Sequence, residues 1–452
     1  MTSDDLDIPH ILEALAQDVQ PSSTLAARLR TVTSDRPPPR KRGLIALLIV
    51  AVIIAPGGVI LRDRLRDGAS SERIEAGTSE RIEAGTPASG QVANQPRRPA
   101  DTWRLLPPAP IRGRVSHTAV WTGAEMIVWG GLSTNDGHLS DGAAYDPEKD
   151  SWRVLPPGPL DGRSSPQSVW TGTEVIVWGG SGCCGGGPGD RRAAPESLFR
   201  VDGAAYNPTT DKWRRVPPAP VDGQDSPAVV WTGHEMLVWG ARSTGPGTYS
   251  VAAAAYNPQE NTWRKLSAAG LPARAESTAV WAGTELIVWG GRSDVGYMAD
   301  GAAYDPVRDR WRPVPPAPLS ARGSAMMFWT GREVLVVGGF ERGPCCNDAA
   351  SYDPALNTWR RIADPGGPVS PPAVAAGRRL LLSNTSERRV AGYVYDAQSD
   401  TWRSRPAAPI ALAAETTAVW TGEEMIAWGG AWYYDPIPER SDGAAYTPPS
   451  PS

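Results

Sequence analysis

Two charged residue types recur at fixed offsets along this chain. Arg114, Arg163, Arg274 and Arg322 each stand seven residues before a Trp, and Asp141, Asp202, Asp300, Asp348 and Asp442 each stand four residues before a Tyr. A guanidinium offers a planar fork of donors that matches a carboxylate, so such a set either pairs internally or grips a polar or anionic ligand. Of seven sequence units, the first, second, fourth and fifth carry both residues, the third and sixth neither, and the seventh the Asp alone. That co-occurrence favours pairing within a unit, with ligand binding by the arginines as the alternative.

Other chemistry-bearing groups are sparse. Cysteines come as two adjacent pairs, Cys183-Cys184 and Cys345-Cys346, in Gly-rich stretches of the second and fifth units. In an oxidising compartment they are disulfide candidates, four cysteines allowing three pairings. No histidine lies in either loop, so a soft-metal site is disfavoured and no metal or cofactor is expected. The four histidines, His10, His117, His138 and His234, are too scattered for a three-ligand centre. No G-x-S-x-G, H-E-x-x-H or phosphate-loop motif occurs, and catalysis by paired carboxylates is left open.

The elements that must position these residues are repeats. W-T-G-x-E followed by an apolar run and G-G, then G-A-A-Y-[DN]-P, then [DN]-x-W-R recur in that order seven times with degeneracy. The Trp-Arg pairs begin at Trp103, Trp152, Trp213, Trp263, Trp311, Trp359 and Trp402, and the tyrosines are Tyr145, Tyr206, Tyr256, Tyr304, Tyr352, Tyr395 and Tyr446. Each unit reads as four strands: a first ending at W-T-G, a hairpin at its Gly, a second buried on both faces, a variable loop, a third through A-A-Y, a D-P turn, and a fourth carrying W-R. The recurring Glu125, Glu174, Glu235, Glu285, Glu333 and Glu424 open the second strand at the hairpin face, where a repeated role is architectural. The sixth unit is atypical, with Ala375-Ala376-Gly377 for W-T-G and Ser383-Asn384 for G-G; the third has Gly240-Ala241. The region opens at Asp101 on a lone fourth strand and ends on a third strand around Tyr446, which predicts that the two ends complete one blade and remove an open seam.

Upstream, Gly43 to Leu61 is an uncharged apolar run long enough to span a bilayer, and Arg40, Lys41 and Arg42 precede it. It reads as an uncleaved signal anchor, with residues 1–42 a cytoplasmic tail, mostly disordered, and the larger part outside the membrane. Residues 62–100 read as a stalk containing the octad SERIEAGT twice, Ser71 to Thr78 and Ser79 to Thr86. Residues 449–452 form a short disordered tail. A net charge of −4 and a pI near 5.7 give no basic footprint, so nucleic acid is not an expected partner.

The double glycines, such as Gly130-Gly131, Gly179-Gly180 and Gly290-Gly291, with the spaced Tyr and Trp that follow, resemble the kelch-repeat β-propeller family, which includes the central domain of galactose oxidase. The resemblance covers about residues 101–448. It implies an all-β, seven-bladed propeller that binds a partner at the channel mouth, where Arg114, Arg163, Arg274, Arg322, Asp141, Asp202, Asp300 and Asp348 are the candidate binding residues. The resulting expectation is a membrane-tethered, extracytoplasmic recognition or scaffold module for a protein or glycan. An exported sugar-active enzyme and a transmembrane sensor signalling through residues 1–42 are the alternatives.

Overall fold

The computed structural model describes residues 99–449 apart from 183–198, 225–226, 246–247, 268–270, 342–346, 384–391, 411, 413–414 and 432–438. The apolar run from Gly43 to Leu61, the SERIEAGT octads and all four cysteines (Cys183, Cys184, Cys345, Cys346) lie outside the described residues. Among the described residues no helix is long and apolar enough to cross a membrane.

Strands alternate in direction and build seven four-stranded antiparallel sheets. Blade 1 is Thr118–Trp121, Met126–Trp129, Gly142–Asp146 and Ser151–Val154, in that spatial order. The first strands of the seven blades, Thr118–Trp121, Gln167–Trp170, Ala228–Trp231, Thr278–Trp281, Met326–Trp329, Ser370–Ala376 and Thr417–Trp420, touch one another in cyclic order, the last meeting the first. The result is a seven-bladed β-propeller. The sheet holding Thr417–Trp420, Met425–Trp428 and Gly443–Thr447 has Thr102–Leu105 as its outermost member, with Trp103 opposite Tyr446 and Leu105 opposite Ala444.

Residue pattern explains each part of the blade. The second strand is buried along its whole length, as in MIVW at Met126–Trp129, because it has a neighbouring strand on each edge and a neighbouring blade on each face. Small residues of the third strand, such as Ala143 and Ala144, let the next blade approach closely, and Trp129, Trp178, Trp239, Trp289 and Trp428 fill the wedge that remains. Seven apolar clusters follow, one per seam, each drawing on two adjacent blades. Removing one such Trp side chain costs about 3–5 kcal/mol in a packed core.

The turns are equally determined. At the start of the fourth strand Asp101, Asp150, Asp211, Asn261, Asp309, Asn357 and Asp400 all take left-handed backbone angles, φ 49 to 60°, which Asp and Asn tolerate best after Gly. In the double glycine, Gly290 and Gly291 have φ of 69° and 102°, and a Cβ on either would sit 2.7 Å from a backbone oxygen, that of Arg322 or of Ala275. Blade 3 has Ala241 at the second position. There the strand does not turn away but continues as the ladder Met236–Gly245 against Thr248–Asn257. Among the described residues, the stretches expected as variable loops contain regular structure in three blades, because blades 1 and 4 add the ribbons Leu132–Ser133 with Gly137–His138 and Arg292–Ser293 with Gly296–Tyr297.

Candidate functional site

Two polar systems repeat around the ring, one at each face. On the hairpin face the fourth-strand Arg of one blade bridges to the next. Arg153 binds Glu125 of its own blade at 2.7 Å and donates at 2.9 Å to the Tyr206 hydroxyl of the following blade. Tyr206 in turn donates to Asp211 at 2.5 Å. The same arrangement holds for Arg104, Glu424 and Tyr145, for Arg214, Glu174 and Tyr256, and for Arg312, Glu285 and Tyr352. Burial and the Asp211 carboxylate push the Tyr206 phenol up to about 12. The recurring glutamates therefore do have an architectural role, and their partner is the Arg of each W-R pair.

The Trp of that pair makes a second link. Trp152 donates its indole N–H to Pro107 O at 3.0 Å, Trp213 to Pro156 O at 3.0 Å and Trp359 to Pro315 O at 2.9 Å, each reaching the preceding blade. Trp263, Trp311 and Trp402 repeat the bond, and Trp103 makes it to Pro406 O at 2.9 Å. Each such bond contributes about 0.5–1.5 kcal/mol, and all seven seams have one.

At the opposite, loop-rich face the structure pairs the sequence-predicted site residues within blades. Arg114 meets both carboxylate oxygens of Asp141 at 2.9 and 3.1 Å, and Arg163 meets those of Asp202 at 2.9 and 3.2 Å. Arg274 meets Asp300 at 2.5 and 3.0 Å, and Arg322 lies 2.7 Å from Asp348. The four arginine side chains are 0–1% exposed, whereas the aspartates are 26–49% exposed. Each guanidinium also donates to the first glycine's carbonyl, as Arg114 does to Gly130 O at 3.0 Å. These cations are therefore frame elements, and what they present outward is the aspartate edge. Hydrogen bonds from Arg274 hold the Asp300 carboxyl below the usual carboxylate range. Asp442, which lacks the upstream Arg, pairs with Arg440.

Blade 3 shows what replaces the pair. Gln224 takes the Arg position, 3% exposed, and donates to Ala252 O at 2.8 Å, with Ala252 in the Asp position. A neutral amide and a methyl group thus occupy the space of an ion pair.

His117 lies in the seam between blades 7 and 1. It is 1% exposed, its Nε2 is 2.7 Å from Thr417 Oγ1, and it packs edge-on against Trp428. Burial, reinforced by the Arg114 charge, pushes its pKa down from 6.5 to about 3. A base held below its unfolded value makes the unfolded chain the better proton acceptor between those limits. Stability is therefore whole above pH about 6.5 and falls by up to about 1.4 kcal/mol per pH unit as pH drops toward the folded value. Thermal unfolding followed from pH 7 to pH 5 should show this loss, and His117→Ser, which places the residue blade 4 carries at Ser277, should flatten it. An unchanged slope in the variant would remove His117 as its origin.

Above the Arg–Asp frame, blades 3, 4 and 5 bring together groups that sequence reasoning missed. Tyr297 of the blade 4 ribbon sits edge-to-face with Phe340 of blade 5 at 6.0 Å. Hydrogen bonding to Tyr297, with the Glu276 charge next and a smaller bond to Tyr249 of the blade 3 ladder, strengthens the hold of the exposed Arg292 on its proton. Glu276 is 4.0 Å from Arg292 and has φ of 57°. The available signal was disagreement between repeats: three residues before the Asp position the chain has His138, Phe199, Tyr249 and Tyr297 on an otherwise uniform frame. Among the described residues no group of three or more His, Cys, Asp or Glu side chains is placed to hold a metal ion.

Residues 168–383 match the family model of the KLHDC2/KLHL20/DRC7 Kelch-repeats domain. A comparison with curated proteins found no match. The described region folds as a seven-bladed β-propeller, and the match over residues 168–383, together with the recurring Tyr and Trp, supports a kelch-repeat domain within it.

Proposed function

We propose that the chain is a membrane-tethered recognition module whose propeller stands on the extracytoplasmic side and binds a protein partner at its loop-rich face. The observation that carries this reading is the contrast at that face. The Arg–Asp frame is nearly identical in four blades, with its arginines buried and committed to internal bonds, while the residues above it differ from blade to blade and gather as Tyr249, Arg292, Tyr297 and Phe340. Aromatic rings beside an arginine supply contact area with little side-chain entropy to lose, together with directional donors, which is the composition of binding hot spots. Kelch propellers generally bind proteins, and the match over residues 168–383 runs from blade 2 into the first two strands of blade 6, a stretch that contains this cluster. The carboxylates of the frame are held by arginines, which favours binding over sugar chemistry. Tethering rests on the apolar run from Gly43 to Leu61 and the basic residues before it.

A photo-crosslinking residue at Tyr297 in the full chain tests the reading. The expected outcome is a discrete protein adduct that disappears when Arg292 and Tyr249 are both replaced by Ala. Loss of adduct together with a positive signal for the same surface on a glycan array would transfer the assignment to a sugar ligand. Protease accessibility of the propeller in intact cells and in lysed cells tests its side of the membrane.

A further inference from the structure

The hairpin face carries a second site. Between blades 4 and 5 lies an open groove of about 480 Å³ lined by Ala282, Thr284, Glu285, Trp329, Arg332 and the turn Asp353–Leu356. Two departures from the repeat meet in it. Five other hairpins have Thr at the position of Ala282, where, as in Thr122 and Thr330, the hydroxyl caps the turn by accepting from the backbone N–H three residues on. Ala282 forgoes that cap and is 6% exposed against the side of Trp329. In the turn before the fourth strand the two residues after Asp-Pro or Asn-Pro are Glu148-Lys149, Thr209-Thr210, Gln259-Glu260 and Val307-Arg308 in blades 1 to 4, but Ala355-Leu356 in blade 5. Leu356 is 68% exposed. In blades 1 and 4 its place is taken by a cation paired with the turn's Asp, Lys149 with Asp146 and Arg308 with Asp305. In blade 5 the cation instead comes from the hairpin: Arg332, 74% exposed, stands 4.0 Å from Asp353. An apolar floor beside one weakly held, exposed guanidinium fits a bulky apolar side chain flanked by a carboxylate.

Such a side chain is present in the chain itself, twice. Each SERIEAGT octad sets an Ile between charged residues, Ile74 beside Glu75 and Ile82 beside Glu83. The polypeptide also enters the propeller on the right face. Asp101 occupies in blade 7 the left-handed position that opens the fourth strand in every blade, so Pro99 joins at the hairpin face. The 14 residues from Thr86 to Pro99 reach at most about 47 Å when extended, the scale of a single domain. We infer that the duplicated octads, Ser71 to Thr86, dock in the blade 4–5 groove, with Ile74 or Ile82 on Leu356, Ala282 and Trp329 and the following glutamate on Arg332. A shallow groove suffices for a tethered segment, because linkage of this length supplies an effective concentration in the millimolar range. Two octads double the chance of occupancy and let one anchor replace the other.

Hydrogen exchange of the full chain tests the assignment, with Leu356→Lys as the key variant because Lys149 already occupies the matching turn position in blade 1. In the unaltered protein, amides of residues 71–86 should exchange up to about tenfold more slowly than an open chain, and Leu356→Lys should abolish that protection. Conversely, Ile74→Ser with Ile82→Ser should speed exchange in the turn around Leu356 while leaving the matching turn of blade 1 unchanged. Open-chain exchange of residues 71–86 in the unaltered protein, or protection that survives both variants, would overturn the assignment and leave the groove to an outside ligand. Neither outcome bears on the loop-rich face, so this site and the one proposed above fail independently.

Discussion

Trp103→Ala is expected to lower the unfolding free energy by about 3 kcal/mol, and deletion of residues 99–106 is expected to yield a chain that aggregates instead of folding cooperatively. Trp103 links three things at once. Its indole donates to Pro406 O at 2.9 Å, its ring lies 5.2 Å from that of Tyr446, and Arg405 sits over it with Cζ 4.8 Å from the centroid. Arg405 is 3% exposed, donates to Leu382 O and Ser383 Oγ, and has no carboxylate among its described partners; burial pulls its pKa down to about 10. Removing the strand takes away its aromatic cover and leaves a buried cation facing water and an open sheet edge along Gly443–Thr447. We propose on this basis that the N-terminal strand latches the ring. Urea unfolding of the full chain and of Trp103→Ala measures the effect, with Trp152→Ala as the comparison at a seam joined by a continuous blade. A midpoint unmoved by Trp103→Ala would show the strand to be dispensable.

Asp202→Ala should cost about 2–3 kcal/mol, less than a fully buried pair would because Asp202 is 34% exposed, whereas the double change Arg163→Gln with Asp202→Ala should lie within about 1 kcal/mol of the unaltered protein. The single change strands a guanidinium of 1% exposure, whose remaining acceptors are backbone carbonyls such as Gly179 O at 3.2 Å. The double change copies blade 3, where Gln224 and Ala252 fill the same positions without charge. Denaturant midpoints of the two singles and the double complete the cycle. A double variant as unstable as Asp202→Ala would mean that the Arg163 side chain packs in a way Gln cannot reproduce. Acid should mimic the single change. Burial works against the ionised Asp202 carboxylate and the Arg163 bonds outweigh it, leaving the folded pKa depressed, so that share of stability is present above the unfolded carboxylate value and is lost as pH falls through the folded one.

The repeat made the blades, their number and the register of Tyr and Trp legible without coordinates, because a period near 50 residues repeats the same local physics seven times: a Gly at the hairpin, Asp-Pro at the turn, and apolar residues wherever a strand has neighbours on every side. Within-blade pairing of Arg with Asp was also readable, since the two residues occur together in four units and are both missing from two, with only Asp442 standing alone. Other features needed the fold. Glu125 and Arg153 are 28 residues apart, and Arg153 and Tyr206 are 53 apart and in different blades, so no local pattern joins them. The cluster of Tyr249, Arg292, Tyr297 and Phe340, and the groove of Ala282 with Leu356, are each assembled by placing loops or turns of adjacent blades side by side. Periodicity reports what all blades share. What distinguishes one blade from the next acquires meaning only when tertiary packing decides which departures become neighbours.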